Sequence, residues 1–228
     1  MNARKLSIVI PTLNESGRIG ERIAQIRRLE DAEIVVVDGG SQDATREAAL
    51  AADQVLETAP GRARQQNAGA VAASGEFLLF LHADCAFLEP VDDAIASALN
   101  DHRIIGGCFV QRIASDRFRY RIVERGNGLR VRTLGWAYGD QALFFRRQQF
   151  LDWGGFPDVV FLEDWLMVRS LKSRGKIELV DHPILQVDPR RWEQRGVIRQ
   201  TLRNWSLLLA ACCGATPEQL VRFYPPVR

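Results

Sequence analysis

The chain has 228 residues, of which 46% are hydrophobic and 25% are charged, as in an ordinary folded domain with one sizeable core and room for an appendage. The net charge of +2 argues against bulk nucleic-acid binding, and no apolar run approaches the roughly 20 residues of a membrane-spanning helix. The four cysteines show no CxxC spacing and no signal peptide is recognised, which predicts a cytoplasmic protein with reduced thiols.

Strand and helix patterns alternate through the first half of the chain. Strands are predicted at 6–10, 34–37, 54–56 and 77–81, and helices at 19–26, 43–52 and 62–73. The apolar run 77–81, which ends at His82 and Asp84, is too short for an ordinary helix and is typical of a strand buried on both faces. Strands that alternate with helices through short connections predict a parallel α/β sheet.

The second half of the chain is less regular. Strands are predicted at 104–113, 142–145, 177–180 and 184–187. Helices are predicted at 163–174, from 193 to about 211, and after Pro217. No internal repeat or linker divides the chain, so these elements are expected to complete the same domain.

Polar or acidic residues end three of the predicted strands: Asn14 and Glu15 the first, Asp38 the second and Asp84 the fourth. In an open parallel sheet, ligands lie just beyond the carboxyl ends of the strands. Carboxylates there suit Mg²⁺ or Mn²⁺, since these cations prefer carboxylate and phosphate oxygens. The alternative for each residue is a helix cap or a turn, above all for Asp38 in Asp-Gly-Gly-Ser. Neither GxGxxG after the first strand nor GxxxxGK[ST] is present, which disfavours a dinucleotide or P-loop site.

Short motifs in a fixed order give the chain a family resemblance. They are Pro-Thr-Leu-Asn-Glu at 11–15, Val-Asp-Gly-Gly-Ser-Gln-Asp at 37–43, Asn-Ala-Gly at 67–69 in a helix that leads to Gly75, His-Ala-Asp at 82–84, Gly-Gly-Phe at 154–156 and Glu-Asp at 163–164. Over about residues 6–192 the chain resembles the family 2 glycosyltransferases of GT-A fold. With its stretch 61–69 and its short length, it further resembles a small, soluble bacterial subgroup of that family.

The resemblance implies a fold and an activity. The fold is α/β of GT-A type, with a mostly parallel Rossmann-like sheet flanked by helices and a helical C-terminal tail. Residues 1–192 would form the glycosyltransferase domain, with a nucleotide-binding half at about 1–100 and an acceptor half at about 101–192, and 193–228 would be an extension packed on it. The activity would be inverting transfer of a sugar from a nucleotide-sugar donor, on family frequency a UDP-sugar, to a hydroxyl acceptor, assisted by Mg²⁺ or Mn²⁺.

The resemblance also implies roles for particular residues. Asp164 would be the catalytic base and Asp84 the metal ligand; Asp38 would bind the base or ribose. Substrate contacts would come from Pro11, Thr12, Asn14, Glu15, Asp38, Gly39, Arg62, Asn67, Ala83, Asp84, Gly139, Asp140, Glu163, Arg191 and Trp192.

Two positions depart from the family pattern. His82 replaces the first aspartate of the family's Asp-x-Asp, which removes one carboxylate from the metal site. Asp188 stands where processive members have a glutamine before the Arg-Trp pair, which argues against a processive polymerase. Two alternatives stay open: a non-catalytic nucleotide-sugar-binding protein, and a sugar nucleotidyltransferase, although that class usually carries a glycine-rich, lysine-containing phosphate loop.

Two segments rich in arginine or apolar residues are predicted to lie on the acceptor side of the protein. Helical spacing aligns Ile198, Leu202, Trp205, Leu209 and Cys212 in one apolar stripe. Arg195, Arg199 and Arg203 follow another strip, and residues 112–132 hold seven arginines. These features predict either peripheral contact with the inner face of an anionic membrane, where a lipid-linked or phosphorylated acceptor is offered, or packing of the stripe on the domain or on a second subunit of a homodimer.

Overall fold

The computed structural model describes residues 5–190, 193 and 196–223, and for Ile198 the backbone only. In the first half the elements are β1 (Leu6–Thr12), α1 (Ile19–Leu29), β2 (Glu33–Asp38), α2 (Thr45–Ala48), β3 (Gln54–Glu57), α3 (Arg62–Ala72), β4 (Phe77–Phe80), β5 (Cys85–Ala86) and α4 (Asp92–Leu99). In the second half they are β6 (Ile104–Ile113), α5 (Phe118–Leu134), a 3₁₀ turn (Gly139–Gln141), β7 (Phe144–Arg146), α6 (Arg147–Asp152), α7 (Glu163–Ser170) with a 3₁₀ extension (Leu171–Ser173), β8 (Lys176–Val187), α8 (Val197–Cys212), α9 (Pro217–Leu220) and a last 3₁₀ turn (Val221–Phe223).

Eight strands form one sheet in the order β3-β2-β1-β4-β7-β6-β8-β5. The first four are mutually parallel, so β1, β2 and β4 end at the same edge. Strand β7 is inserted antiparallel between β4 and β6. Because of that reversal, the turn Gly139–Gln141 before β7 lies at the edge where β4 ends. Segments far apart in the sequence therefore meet at one side of the sheet.

Apolar side chains are buried on both faces of the sheet. One cluster joins the sheet to α1 and α4, and the other joins it to α3, α6 and α7. In the second cluster Phe80 packs against Phe150 and Phe156, each with ring centroids 4.9 Å away, which is ordinary aromatic contact. The α/β arrangement with helices on both faces agrees with the prediction from the alternating patterns.

Several predicted boundaries are wrong. The helix predicted at 43–52 is only Thr45–Ala48, because the chain turns so that the Asp53 carboxylate accepts the Ile34 N–H at 2.8 Å. The strands predicted at 177–180 and 184–187 are one strand, β8, with a register shift opposite Phe109 and Gln111. The strand predicted at 142–145 begins at Phe144, and α7 ends at Ser170.

Helix α8 does not bury the stripe predicted for it. Leu202, Trp205 and Leu209 are 65%, 42% and 61% exposed, and Cys212 is exposed, whereas Leu207 and Leu208 face inward. The prediction that this stripe packs on the domain is therefore wrong for these side chains; the side chain of Ile198 and all of Arg195 lie outside the described residues. Across the described part of the chain, the helices are too short or too polar to cross a bilayer.

Candidate functional site

The loop after β2 is organised by Asp38. Its carboxylate is fully buried and accepts the backbone N–H groups of Gly40 at 3.0 Å and Ser41 at 2.8 Å, together with the Ser41 hydroxyl. The Thr12 hydroxyl lies 3.5 Å from the same carboxylate. Gly40 has φ +90°, a conformation that side chains rarely adopt. Asp38 thus shapes the loop, and its predicted contact with the base or ribose stays a prediction.

The loops after β1 and β2 are tied together by hydrogen bonds. The Asn14 N–H donates to Ser41 Oγ at 2.8 Å, and the Gln42 N–H donates to Asn14 Oδ1 at 3.0 Å. The Glu15 N–H donates to Thr45 Oγ1 at 2.8 Å. Asn14 has φ +55°, which asparagine tolerates better than most residues. The predicted pocket residues at these two strand ends therefore form one fixed rim, which also includes the half-buried Pro11 of β1.

A further rim residue, Gln65, was not predicted. Its side-chain amide donates to the backbone oxygens of Thr12 at 2.7 Å and Val37 at 2.8 Å, and the residue is 5% exposed. A Cβ atom on Gly39 would lie 3.0 Å from this amide, so Gly39 leaves the space that Gln65 fills. No sequence signal could have found it, because a glutamine in a helical pattern is usually a surface residue.

Asn67 of α3 holds the loop 154–156. Its amide donates to the Phe156 backbone oxygen at 2.8 Å and accepts the Phe156 N–H at 2.9 Å. A Cβ atom on Gly155 would clash with Asn67 Oδ1. Asn67, one of the predicted substrate contacts, is thus engaged with this loop, whereas Arg62, at the start of α3, faces the acidic residues of α7.

Replacing Asn67 by alanine is expected to lower the free energy of unfolding by about 1–3 kcal/mol, since it leaves the two backbone groups of the buried Phe156 unpaired. Chemical denaturation measures the change. Asn100→Ala is the control, because Asn100 is exposed and such surface changes cost under about 0.5 kcal/mol. Equal free energies of unfolding for the two variants would contradict the clamp role.

Asp164 lies where α7, the turn before β7 and the end of β4 meet. It is 8% exposed; Oδ2 accepts the Gly139 N–H, and Oδ1 accepts the Trp165 N–H at 2.6 Å. A Cβ atom on Gly139 would lie 3.0 Å from Asp164 Oδ2 and 3.4 Å from His82 Nε2. The structure therefore brings together three predicted positions that are remote in sequence.

The residues beside Asp164 are unusual in backbone conformation and in pKa. Leu162, the N-cap residue of α7, has φ +62°, an uncommon conformation for a bulky residue and one that clusters at functional sites. Burial, and then the charge of Asp164, raise the pKa of Glu163, which favours its neutral form. Arg62 opposes that shift, with its Nη1 3.6 Å from Glu163 Oε1.

An open recess borders these carboxylates. It has a volume of about 90 Å³. Its lining is Arg62, His82, Tyr138, Asp140, Phe161, Leu162, Glu163, Asp164, Asn204 and Leu207.

A second recess, of about 40 Å³, shares Tyr138, Asp140 and Asn204 and extends to Trp205. Arg130 stacks over the Tyr138 ring at 3.8 Å, and Gln111 donates to the Asp140 backbone oxygen at 2.7 Å. Sequence reasoning missed Tyr138 and Asn204, which carry no motif.

Asp84 lies on the other side of the β4 end. Its backbone oxygen accepts the Asp188 N–H at 3.2 Å. This hydrogen bond continues the antiparallel pairing of β5 with β8 by one residue. Cys85 Sγ is 3.6 Å from the Asp84 carboxylate. Arg18 bridges the loop after β1 to this region, with 3.8 Å to Glu15 and 3.4 Å to Asp188. The neighbouring Ala83 is buried. The half-buried Asp84 is thus close to the predicted nucleotide rim.

Asp84 is the predicted ligand of a divalent cation. Within the described residues, no group of three or more His, Cys, Asp or Glu side chains could hold a metal ion by itself. Mg²⁺ and Mn²⁺ are commonly held by one or two carboxylates together with substrate phosphates. The single Asp84 carboxylate therefore fits a cation that arrives with a diphosphate and does not fit a protein-only cage. Arg191 and Trp192, predicted to contact the substrate, lie outside the described residues.

Several solved structures are similar to this chain. S. aureus TarS 1–349 in complex with UDP-GlcNAc is 18% identical with a TM-score of 0.63, and the alignment covers 81% of this chain and 58% of that one. The mannosyltransferase PcManGT from Pyrobaculum calidifontis, in complex with GDP-Man and Mn²⁺, is 23% identical with a TM-score of 0.63, covering 82% and 57%. Glucosyl-3-phosphoglycerate synthase from Mycobacterium tuberculosis is 21% identical with a TM-score of 0.56, covering 81% and 70%.

These likenesses confirm the predicted GT-A type of α/β fold. The chain spans only 57–60% of the length of the TarS 1–349 and PcManGT chains. No curated protein matches it by sequence. The sequence profile described as "Glycosyl transferase family 2" matches residues 7–161. Because this match covers more than half of the chain, the protein belongs to glycosyltransferase family 2.

Proposed function

We propose that the protein transfers a sugar from a nucleotide-sugar donor to a hydroxyl acceptor with inversion at the anomeric carbon. The observation that carries the proposal is the position of Asp164. It lies in the first turn of α7, its carboxylate is held by two backbone N–H groups, and it borders an open recess at the end of β4. A carboxylate fixed in this way is suited to accept a proton from an acceptor hydroxyl.

The donor would occupy the rim formed by the loops after β1 and β2. Thr12, Asn14 and Glu15 lie on one side of this rim, and Gly39, whose N–H donates to the Thr12 backbone oxygen, lies on the other. Asp84 would hold Mg²⁺ or Mn²⁺, which supplies positive charge that stabilises the leaving diphosphate. We propose a UDP-sugar as donor; TarS binds UDP-GlcNAc and PcManGT binds GDP-Man with Mn²⁺.

The residues of the chain would divide the chemistry between two sides of the sugar. As the bond from the anomeric carbon to the diphosphate breaks, negative charge grows on the diphosphate, where Asp84, through the cation it would hold, and Arg191 would neutralise it. On the opposite face Asp164 takes the acceptor proton, while the raised pKa of Glu163 reduces repulsion between adjacent carboxylates. Asp140, Tyr138 and Asn204 line the same recess and would orient the acceptor.

We propose a lipid-linked or phosphorylated hydroxyl compound as the acceptor, because an arginine borders each of the two recesses. Arg130 lines the smaller recess, and Arg62 lines the larger one. Of the alternatives, a non-catalytic nucleotide-sugar-binding protein would have no use for a held carboxylate at Asp164. A sugar nucleotidyltransferase would use a phosphate-binding loop after β1, where this chain has Pro-Thr-Leu-Asn-Glu.

A donor screen tests the proposed function. Incubating the full chain with UDP-, GDP- and dTDP-sugars, with and without Mn²⁺, is expected to release free nucleoside diphosphate from one of them. The nucleoside diphosphate of that donor is also expected to raise the melting temperature of the protein. NMR of the transferred or hydrolysed sugar should show an anomer opposite to that of the donor. Stabilisation without any release would support the binding protein, and a retained anomer would contradict the inverting mechanism.

A further inference from the structure

The outward face of α5 exposes large apolar side chains. Phe118, Ile122 and Leu129 are 72%, 59% and 62% exposed. They are separated by four and seven residues, so they form one ridge along the helix. On the opposite side of α5, Tyr120 and Val131 are buried against the domain. Single exposed apolar residues are common, but a continuous apolar ridge indicates a surface that contacts a partner.

Positive charge surrounds this ridge. Residues 112–132 hold seven arginines and two acids, a net charge of +5 in a chain whose total is +2, so the rest of the chain is net negative. Arg119 and Arg125 lie on the helix among these apolar side chains, Arg117 directly precedes the helix, and all three are exposed. Among the described residues, none of these three has an ion-pair partner. Arg117, Arg119 and Arg125 therefore leave three exposed positive charges beside the ridge without an acidic partner in the described part of the chain.

An open recess lies beside the ridge, between α5 and the strands β6 and β8. It has a volume of about 530 Å³. Its lining includes Arg112, Arg121, Arg125 and Arg132 together with Leu129. Arg121 pairs with Glu124 at 3.0 Å and Arg132 pairs with Asp181, so Arg112 and Arg125 are left to meet an anion. The recess places space for an anionic group next to exposed apolar side chains.

We propose that the outward face of α5, defined by Phe118, Ile122, Arg125 and Leu129 together with Arg117 just before the helix, docks the protein on an anionic lipid surface. Apolar side chains of an amphipathic helix enter the boundary between headgroups and acyl chains, while arginines reach the headgroup phosphates. Charge complementarity selects this occupant. A second copy of the chain docked through the same face would bring two positive faces together, and a soluble polyanion would leave the apolar ridge in water.

The same helix borders the proposed acceptor site. Arg130 of α5 stacks on Tyr138, and Val123 and Asn127 line the smaller recess together with Trp205 of α8. A docked α5 would therefore bring that recess close to the lipid, where a lipid-linked acceptor would be presented. This consequence rests on the proposed glycosyltransferase function, whereas docking of α5 does not.

Vesicle cosedimentation of the full chain tests the docking. Vesicles of phosphatidylcholine alone are compared with vesicles that also contain phosphatidylglycerol. Binding is expected only with the anionic lipid, and it should weaken as salt shortens the Debye length from about 10 Å at 0.1 M to about 3 Å at 1 M. Equal binding to both vesicles, or binding to neither, would overturn the proposal.

Two sets of variants separate charge from apolar contact. Arg117→Gln/Arg119→Gln/Arg125→Gln should weaken partitioning about a hundredfold, or about fivefold for each arginine. The control Lys172→Gln/Arg174→Gln/Lys176→Gln removes the same charge from exposed residues elsewhere and should change partitioning far less. Phe118→Ser/Ile122→Ser keeps the charge and should weaken binding at least tenfold, since each side chain loses burial in the interface.

A matched control checks the apolar contribution. Leu50→Ser/Val71→Ser removes two apolar side chains that are 76% and 66% exposed outside α5, and it should leave vesicle binding unchanged. Equal losses of vesicle binding in Phe118→Ser/Ile122→Ser and Leu50→Ser/Val71→Ser would overturn the proposal. A concentration-dependent dimer of the parent that disappears in Phe118→Ser/Ile122→Ser would also overturn it. Melting-temperature shifts with nucleoside diphosphate, measured on the same variants, report donor binding separately, so failure of docking is distinguishable from failure of the proposed function.

Discussion

Asp164→Asn is expected to slow sugar transfer by about 10²–10⁴-fold, the contribution of a general base, while donor affinity stays nearly unchanged. The substitution keeps the size of the side chain and removes its basicity. It also places an amide NH₂ opposite one of the two backbone donors, Gly139 or Trp165, so the free energy of unfolding should fall by about 1–3 kcal/mol. Initial rates and donor affinity are measured on protein shown to be folded.

The pH profile separates a base from a residue that only positions the turn at Gly139. A general base produces a fall in the rate at low pH, and this fall should disappear in the residual activity of Asp164→Asn. Asp140→Asn is compared with it, because Asp140 is another aspartate that lines the same recess. Asp152→Asn is the surface control. If Asp140→Asn loses more activity than Asp164→Asn, or if the Asp164 variant stays within about tenfold of the parent, the base is assigned wrongly.

Asp84→Asn is expected to remove the part of nucleotide binding that depends on Mn²⁺. A nucleoside diphosphate at 100 times its dissociation constant should add about 2.7 kcal/mol to the free energy of unfolding of the parent. Because even residues that only orient a metal ligand contribute about 10–100-fold to metal affinity, loss of the ligand itself should weaken Mn²⁺-dependent binding at least tenfold. Calorimetric titration with and without Mn²⁺ measures the difference.

The control for Asp84 is Asp93→Asn, an exposed carboxylate in the first turn of α4. It should bind the nucleotide as the parent does. Binding in the absence of metal should persist in Asp84→Asn, since the rim of the loops after β1 and β2 is unaffected. If Mn²⁺ enhances binding equally in the parent and in Asp84→Asn, the cation is held elsewhere.

Local chemistry explains which parts of the fold were predictable. The strand Phe77–Phe80 and the helix Arg62–Ala72 were predicted within one residue at each end, because an apolar run and a helical pattern are properties of adjacent residues. Asp38 in Asp-Gly-Gly-Ser was recognisable as a turn residue, and its carboxylate indeed holds that loop. The family motifs pointed to Asp84 and Asp164, whose roles remain predictions.

The sequence by itself determined the α/β class, the strands that end in polar residues and the motifs of the family. Only the tertiary structure decided that β7 is antiparallel between β4 and β6, which brings Gly139 to Asp164 and His82. It also decided that Gln65 is buried in the rim and that the apolar stripe of α8 is exposed. These outcomes depend on contacts between segments far apart in the chain, and residue type and spacing do not specify which segments meet.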